Sequence, residues 1–300
     1  MNMYTLRVSL LAQDKELFDQ GSIPKEITWF EKALLEAATQ VKNSNSIPVN
    51  EKNEPKYSLK ISVKPDSNNV MAGVVSKANK FHGHDAGFEE YDIDNYPPLI
   101  WIWDRVEQVL LVEKKANVFR TPNAVCKCFE KLANNIILAE IGLRVELKPV
   151  LDDAKCDFWS EYDNFEFVEK IEFELIPPNL FGETEQSMKD ALNDITEQTN
   201  ANHIKTTFEN VSGKLKLSSK GWVNNAVRWI KKGGGDWKMW GRKVANSPVT
   251  DVSSYKSAKI TFINGQLSEA DLQGYDSTEL AHLISHYQNE YTYKDNTDDD

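Results

Sequence analysis

Cysteine is scarce in this chain. Cys126, Cys128 and Cys156 are the only three in 300 residues. An odd, sparse set cannot form the framework of a small secreted domain and suits a reducing compartment. A chain of this length buries roughly 75% of its unfolded surface and needs no covalent staples. No apolar run approaches the length of a membrane span. The opening "MNMYTLRVSLLAQDKELFD" has no small-residue cleavage pattern, so a cytoplasmic protein without membrane attachment is expected. There are no internal repeats. No Gly-x-Gly-x-x-Gly opens a helix, and no glycine-rich run ends in Gly-Lys-Ser/Thr, which excludes the dinucleotide and Walker-type phosphate cradles. With Cys126 and Cys128 two apart on a helix and no histidine beside them, a shared metal or a Cys/His nucleophile is excluded as well.

Positive charge is short overall but not locally. The formal net charge is −11, yet the window from Val211 to Lys259 carries eleven Lys and Arg against Asp236 and Asp251. That window is +9, leaving −20 for the rest. Such asymmetry points to a polyanionic partner. Trp222, Trp229, Trp237 and Trp240, half of the eight tryptophans, lie in the same stretch.

The periodicities predict an α+β protein with a mixed, mostly antiparallel sheet, helices packed on it, and a basic C-terminal α+β module. Alternation predicts strands at "YTLRVSLLA", "YSLKISVKP", "LRVELKPV" and "VEKIEFELIPP". "LIWIWDRVEQVLLVEK" reads as a hairpin turning near Asp104 and Arg105, with both arms apolar enough to be central. Ser22 and Pro24 open a helix with Ile27, Phe30, Leu34, Ala37 and Val41 on one face. Thr121 and Pro122 supply an N-cap and first-turn proline for a second, whose face is Val125, Phe129, Leu132 and Ile136. A third runs through Met188, Leu192 and Ile195. Residues 66–98 show no sustained period and read as a long loop. In the basic window the pattern predicts a strand "GKLKLS", a helix "GWVNNAVRWIKK", and strands at "DWKMWGRK" and "SAKITFI". A last helix, "STELAHLISHYQNEY", follows. The boundaries drawn are 1–210 for a scaffold domain, 211–293 for the basic Trp-rich module and 294–300 for an acidic disordered tail.

The order of these elements carries a resemblance. "LIWIW…QVLLVEK" leads into "TPNAVCKCFEKL", and a strand ending in "IPPN" runs into "GETEQSMKDALNDI". Over about residues 99–210 this layout resembles a group of uncharacterised prokaryotic proteins linked to phage defence, and its element order is similar to that of the phage-exclusion protein RexA. The resemblance implies a cytosolic component of antiviral defence or abortive infection that contacts DNA or RNA. It carries no catalytic residues across.

The chemistry centres on "WIKKGGGDWKMWGRK", residues 229–243. Asp236 after the glycines would repel a phosphate, so the triple glycine reads as a helix C-cap and turn. The cations beside it suit phosphates, and flat indoles suit bases. The residues assigned to nucleic-acid binding are Arg228, Lys231, Lys232, Lys238, Arg242 and Lys243, with Trp237 and Trp240 for base or sugar contacts. The competing reading makes Trp222, Val223, Ala226, Val227, Trp229 and Ile230 an ordinary core face with lysines reaching around it. His82, His84 and Asp85 in "FHGHDAG" read as a solvated turn rather than a metal edge. Glu279, His282, His286 and Glu290 read as the wet side of the last helix. Glu146 and Lys148 share one strand face, as a metal-dependent nuclease would require, with Asp104 or Asp66 as the missing acid.

The expected function is therefore largely sequence-independent nucleic-acid binding, DNA foremost, in a bacterial or phage defence system, with no catalytic residues, metal or cofactor assigned. A metal-dependent nuclease using Glu146 and Lys148 is one alternative. The other is an interaction subunit whose basic patch docks an acidic protein. A second defence protein or a homodimer is the further partner expected.

Overall fold

A computed structural model describes residues 1–13, 25–44, 56–65, 69–152, 157–177, 186–199, 201–210, 212–213, 215–254, 258–263, 267–276 and 278–284. Ser22, Pro24, Asp66, Cys156, His286, Glu290 and the acidic tail lie outside these residues. The chain is α+β with mostly antiparallel sheets. It divides into two units: residues 1–4, 26–140 and 261–300 form the first, and 5–25 with 141–260 the second.

The first unit is built on β2 (Tyr57–Val63), β3 (Val70–Lys77), β6 (Leu99–Asp104) and β7 (Val109–Glu113), joined by the start of β1 (Asn2–Ala12) and by β13 (Ile260–Phe262). The order is β13-β1-β7-β6-β3-β2. "LIWIWD" has no alternation because both of its faces are covered. Ile100 and Ile102 pack with Val109, Leu111, Leu272, Leu280 and Ile284. On the other face Trp103 meets Phe30 of α1 (Thr28–Ser44) edge-on at 4.9 Å, and Trp101 meets Phe129 of α2 (Pro122–Ala133) at 6.0 Å. Of the face foreseen for α1, Phe30, Leu34 and Ala37 are buried. Thr121 caps α2 as its sequence requires, its Oγ1 accepting the Ala124 N–H at 3.2 Å ahead of Pro122. Ile136 does not extend that face. It starts the short α3 (Ile136–Glu140) and is exposed.

Residues 66–98 are a correction: the described part is strand, not loop. "VMAGVVSK" forms β3, buried on both faces and hence without a period of two. Gly73 sits where a side chain would run into the Lys60 carbonyl of β2. β4 (Asn79–His84) and β5 (Glu90–Asn95) then form a two-stranded sheet of their own.

Cys128, on α2, is fully buried, and burial pushes its thiol well above the ordinary range, outweighing the opposing pull of Lys77. Because the thiolate is the reactive form, labelling of Cys128 by a thiol reagent at pH 8 is expected to run more than about a hundredfold slower than at a free thiol, until unfolding exposes it. Peptide mapping of labelled protein checks this. Rapid modification of Cys128 in the folded chain would contradict the packing.

In the second unit, the rest of β1 pairs antiparallel with β8 (Leu143–Pro149), setting Arg7 opposite Lys148 and Ser9 opposite Glu146. A four-stranded sheet runs β10-β9-β11-β12, with β9 Phe167–Leu175, β10 Ile204–Glu209, β11 Gly235–Arg242 and β12 Thr250–Ser253. α4 (Phe158–Asp163), α5 (Gln186–Thr199) and α6 (Trp222–Lys231) contribute Phe158, Met188, Leu192, Ala226, Val227 and Ile230 to its core, against Ile171, Phe173, Trp237 and Met239. The boundary drawn at 210 does not follow the fold, because β11 pairs with β9 along its whole length. "GKLKLS" is also corrected. Its described residues are not a strand, and the outer position belongs to β10. β12 and the short α7 (Glu269–Gly274) were not foreseen.

Candidate nucleic-acid interface

The triple glycine is a turn, and each residue has its own steric reason. Gly233 has φ of 83° and Gly235 has φ of 150°, backbone that L side chains rarely adopt. At Gly234 the indole of Trp229 occupies the space a Cβ would need, and at Gly235 the Glu174 carbonyl does. The N–H groups of Gly233 and Gly234 close α6 by donating to the carbonyls of Ile230 and Trp229, at 2.9 and 3.0 Å. The chain thus passes from α6 into β11 without an intervening loop.

β11 then decides the fate of the cations and tryptophans around it. Strand alternation sends Trp237 and Met239 inward and Asp236, Lys238 and Trp240 to the other face. Trp237 is only 2% exposed and stands edge-on to Phe158 at 5.2 Å. Its assignment as a base contact is therefore corrected: Trp237 is a core residue. Trp240 is partly exposed, flanked by the Lys170 and Lys238 ammonium groups, each 4.7 Å from its ring centre.

The cations on this face meet carboxylates rather than open solvent. Lys238 pairs with Asp251 at 3.1 Å, Arg242 pairs with Glu169, and Lys231 pairs with Asp157 at 3.2 Å. Burial pulls the Asp157 carboxyl upward, but the Ser160 N–H and Lys231 outweigh it and hold it below the usual range. Glu172, opposite Lys238, is held low by Lys170 first and by Lys205 across the strand pair. Lys232 is partly buried, and its carbonyl accepts Arg7 Nε at 3.1 Å. Arg228 and Lys243 are exposed. Within the +9 window β11 lies against β9, where three glutamates outnumber one lysine, and the unit as a whole holds twenty Lys and Arg against twenty-one Asp and Glu. The basic window is thus balanced within its own unit, and the first unit carries the remaining −10.

What the sequence reading passed over lies just before α6. Lys216 and Lys220 are exposed, and Trp222 keeps 40% of its surface while its ring stands edge-on to Phe173 and Phe208 at 5.8 and 5.7 Å. Gly221, with φ of 77°, is the N-cap and offers no side-chain acceptor, and the first turn of α6 contains no acid. The signal was present in the sequence: glycine where Ser, Thr, Asp or Asn would cap, between a lysine and a tryptophan.

A second charged cluster gathers around Glu146 and Lys148. Lys148 Nζ lies 2.7 Å from Asp236 and 3.4 Å from Glu146. His203 lies between Glu146 (2.9 Å) and Glu174 (3.0 Å), the latter approach lacking hydrogen-bond alignment. The acid beside Lys148 is thus Asp236. Asp104 instead caps the β6–β7 turn through the N–H groups of Val106 and Glu107. Lys148 pairs with both carboxylates it touches and offsets one of their two charges, as a largely buried ion-paired lysine does structurally. Among the described residues, no group of three or more His, Cys, Asp or Glu is placed to hold a metal ion, and no helix is long and apolar enough to cross a membrane.

No known protein-family model matches the chain, and no curated protein matches it in sequence.

Proposed function

We propose that the second unit binds nucleic acid, DNA foremost, through the sugar-phosphate backbone, as a component of a bacterial or phage antiviral defence system. The observation that carries the binding is the start of α6. An exposed tryptophan stands there at a helix N-terminus without a side-chain cap, just after the exposed Lys216 and Lys220. Uncapped N–H groups at a helix start attract phosphate oxygens. Lys216 and Lys220 add cations, and Trp222 presents an indole edge to a base or sugar. Arg228 and Lys243 add positive charge from the α6 surface and the end of β11. Lys238 is paired with Asp251 but both side chains are about half exposed, so exchanging that partner for a phosphate costs about 1 kcal/mol or less. Nothing in the set reads base edges, so binding is largely sequence-independent. The defence setting rests on the resemblance over about residues 99–210.

The test is fluorescence anisotropy with labelled single- and double-stranded DNA and RNA across a salt series. For duplex DNA, the Lys216→Ala/Lys220→Ala/Lys243→Ala variant is expected to bind at least about tenfold more weakly at low salt. Its log K against log salt slope should be shallower by about 2.7. All three substitutions are at exposed positions, so the circular dichroism spectrum should be unchanged. Absence of binding by the wild type at low salt would overturn the proposal, as would an unaltered slope in the variant.

A further inference from the structure

β3 and β6 are paired, and the chain continues beyond them into β4 and β5 with only Ala78 on one side and Tyr96-Pro97-Pro98 on the other. The prolines cannot donate to a ladder and interrupt the ribbon there. Residues 79–95 therefore form an arm, registered from Asn79 opposite Asn95 to His84 opposite Glu90. Its two faces differ completely. Lys80, His82 and His84 face Asp94, Asp92 and Glu90, with Lys80–Asp92 at 3.3 Å, a His82–Asp92 contact, and His84–Glu90 at 3.6 Å. The reverse face carries Asn79, Phe81, Gly83, Tyr91, Ile93 and Asn95 and not one charge. The Tyr91 ring lies across Gly83 where a side chain would otherwise stand. Phe81 is 57% exposed, Ile93 53% and Tyr91 41%.

We propose that this arm is a dimerisation element whose Phe81–Tyr91–Ile93 face packs on the same face of a second copy about a two-fold axis. Charge selects the occupant. The arm is −4 and its unit is −10, which repels nucleic acid and anionic lipid. A cationic partner finds no counter-charge on the apolar face. The surface that matches it in pleat, width and neutrality is its own copy, as an isologous contact requires. Stacked sheets sit about 10 Å apart, so the two acidic faces would point outward on opposite sides, separated by more than the Debye length of ~10 Å. Stacking also supports a two-stranded hairpin that is marginal alone in water. The three side chains expose about 300 Å² per arm. Burying both arms removes about 600 Å² of side-chain surface, less than a stable interface needs, so the association is weak and concentration-dependent.

Sedimentation velocity of the full chain from low to high micromolar concentration, without nucleic acid, tests this. The wild type is expected to pass from monomer to dimer. Phe81→Ser/Ile93→Ser should raise the dissociation constant at least about thirtyfold, while Val106→Ser, at an exposed position in the β6–β7 turn, should leave it unchanged. Ile93→Lys and Ile93→Glu variants should each stay monomeric and associate when mixed, a recovery that a misfolded arm would not give. A monomeric wild type across the range would overturn the proposal. So would a dimer indifferent to the Phe81/Ile93 substitutions, or a Lys/Glu mixture that fails to associate.

Discussion

Replacing Glu31 by alanine is expected to destabilise the first unit by about 3 kcal/mol, although Glu31 looks from the sequence like one more surface acid of α1. Its side chain is 4% exposed. Arg105 grips it with two prongs, Nη2 to Oε2 at 2.6 Å and Nε to Oε1 at 2.7 Å, while Trp103 donates its indole N–H to Oε1 at 2.9 Å. Asn69 Oδ1 accepts from Arg105 Nη1 at 2.7 Å. Alanine removes the shared acceptor, taking the carboxylate partner from a largely buried guanidinium and the acceptor from the Trp103 indole N–H. The cost is mainly desolvation left uncompensated rather than the net worth of the pair. Fully buried pairs lose up to about 5 kcal/mol in this way, and Arg105, a quarter exposed, recovers part of it from water. Glu31→Gln keeps one acceptor and should cost less, about 2 kcal/mol. Urea unfolding followed by circular dichroism measures both. A Glu31→Ala midpoint within experimental error of the wild type would show that the pair does not hold α1 to the β6–β7 turn.

Trp237→Ala should have an effect of similar size in the second unit, about 4 kcal/mol, while Trp240→Ala three residues on should cost only about 1 kcal/mol. Trp237 is buried against Phe158 in the core that joins α4, α6, β9 and β11, and truncation leaves a cavity that rigid neighbours cannot fill. Trp240 loses its contacts with two lysines at a partly exposed site. Hydrogen exchange separates the two outcomes. In Trp237→Ala the amides of β9 and β11 should lose protection together, and in Trp240→Ala they should keep it. Equal stability of the two variants would mean that the alternation along β11 has been assigned to the wrong faces. Loss of nucleic-acid binding in Trp237→Ala would reflect unfolding, so the alanine variants that test the interface are the exposed lysines.

These two residues show where reading the chain succeeded and where it stopped. The α2 cap, the "LIWIW" hairpin and the glycine turn were legible because each depends on neighbours a few residues away. A threonine acceptor precedes a proline, apolar runs flank a polar turn, and glycine stands where φ must be positive. Trp237 reads as a surface residue because charged Asp236 and Lys238 flank it, although that alternation is just what a half-buried strand produces. β3 was missed for the converse reason: a strand covered on both faces has no alternation to find. Lys216, Lys220 and Trp222, on which the proposed interface rests, stand before the peak of charge density along the chain, which lies further on.

Local order fixed the element types, the caps and the turns, because those are set by backbone sterics and hydrogen bonds within a few residues. Composition likewise fixed the +9 window and the charge of the arm. Only the tertiary structure decided which charges meet. β11 lies beside β9, so Arg242, which looks available in the chain, meets Glu169 seventy-three residues away, and Glu31 meets an arginine seventy-four residues on. Coulombic and packing energies depend on distance in space, and strand pairing brings together residues whose separation along the chain says nothing about it.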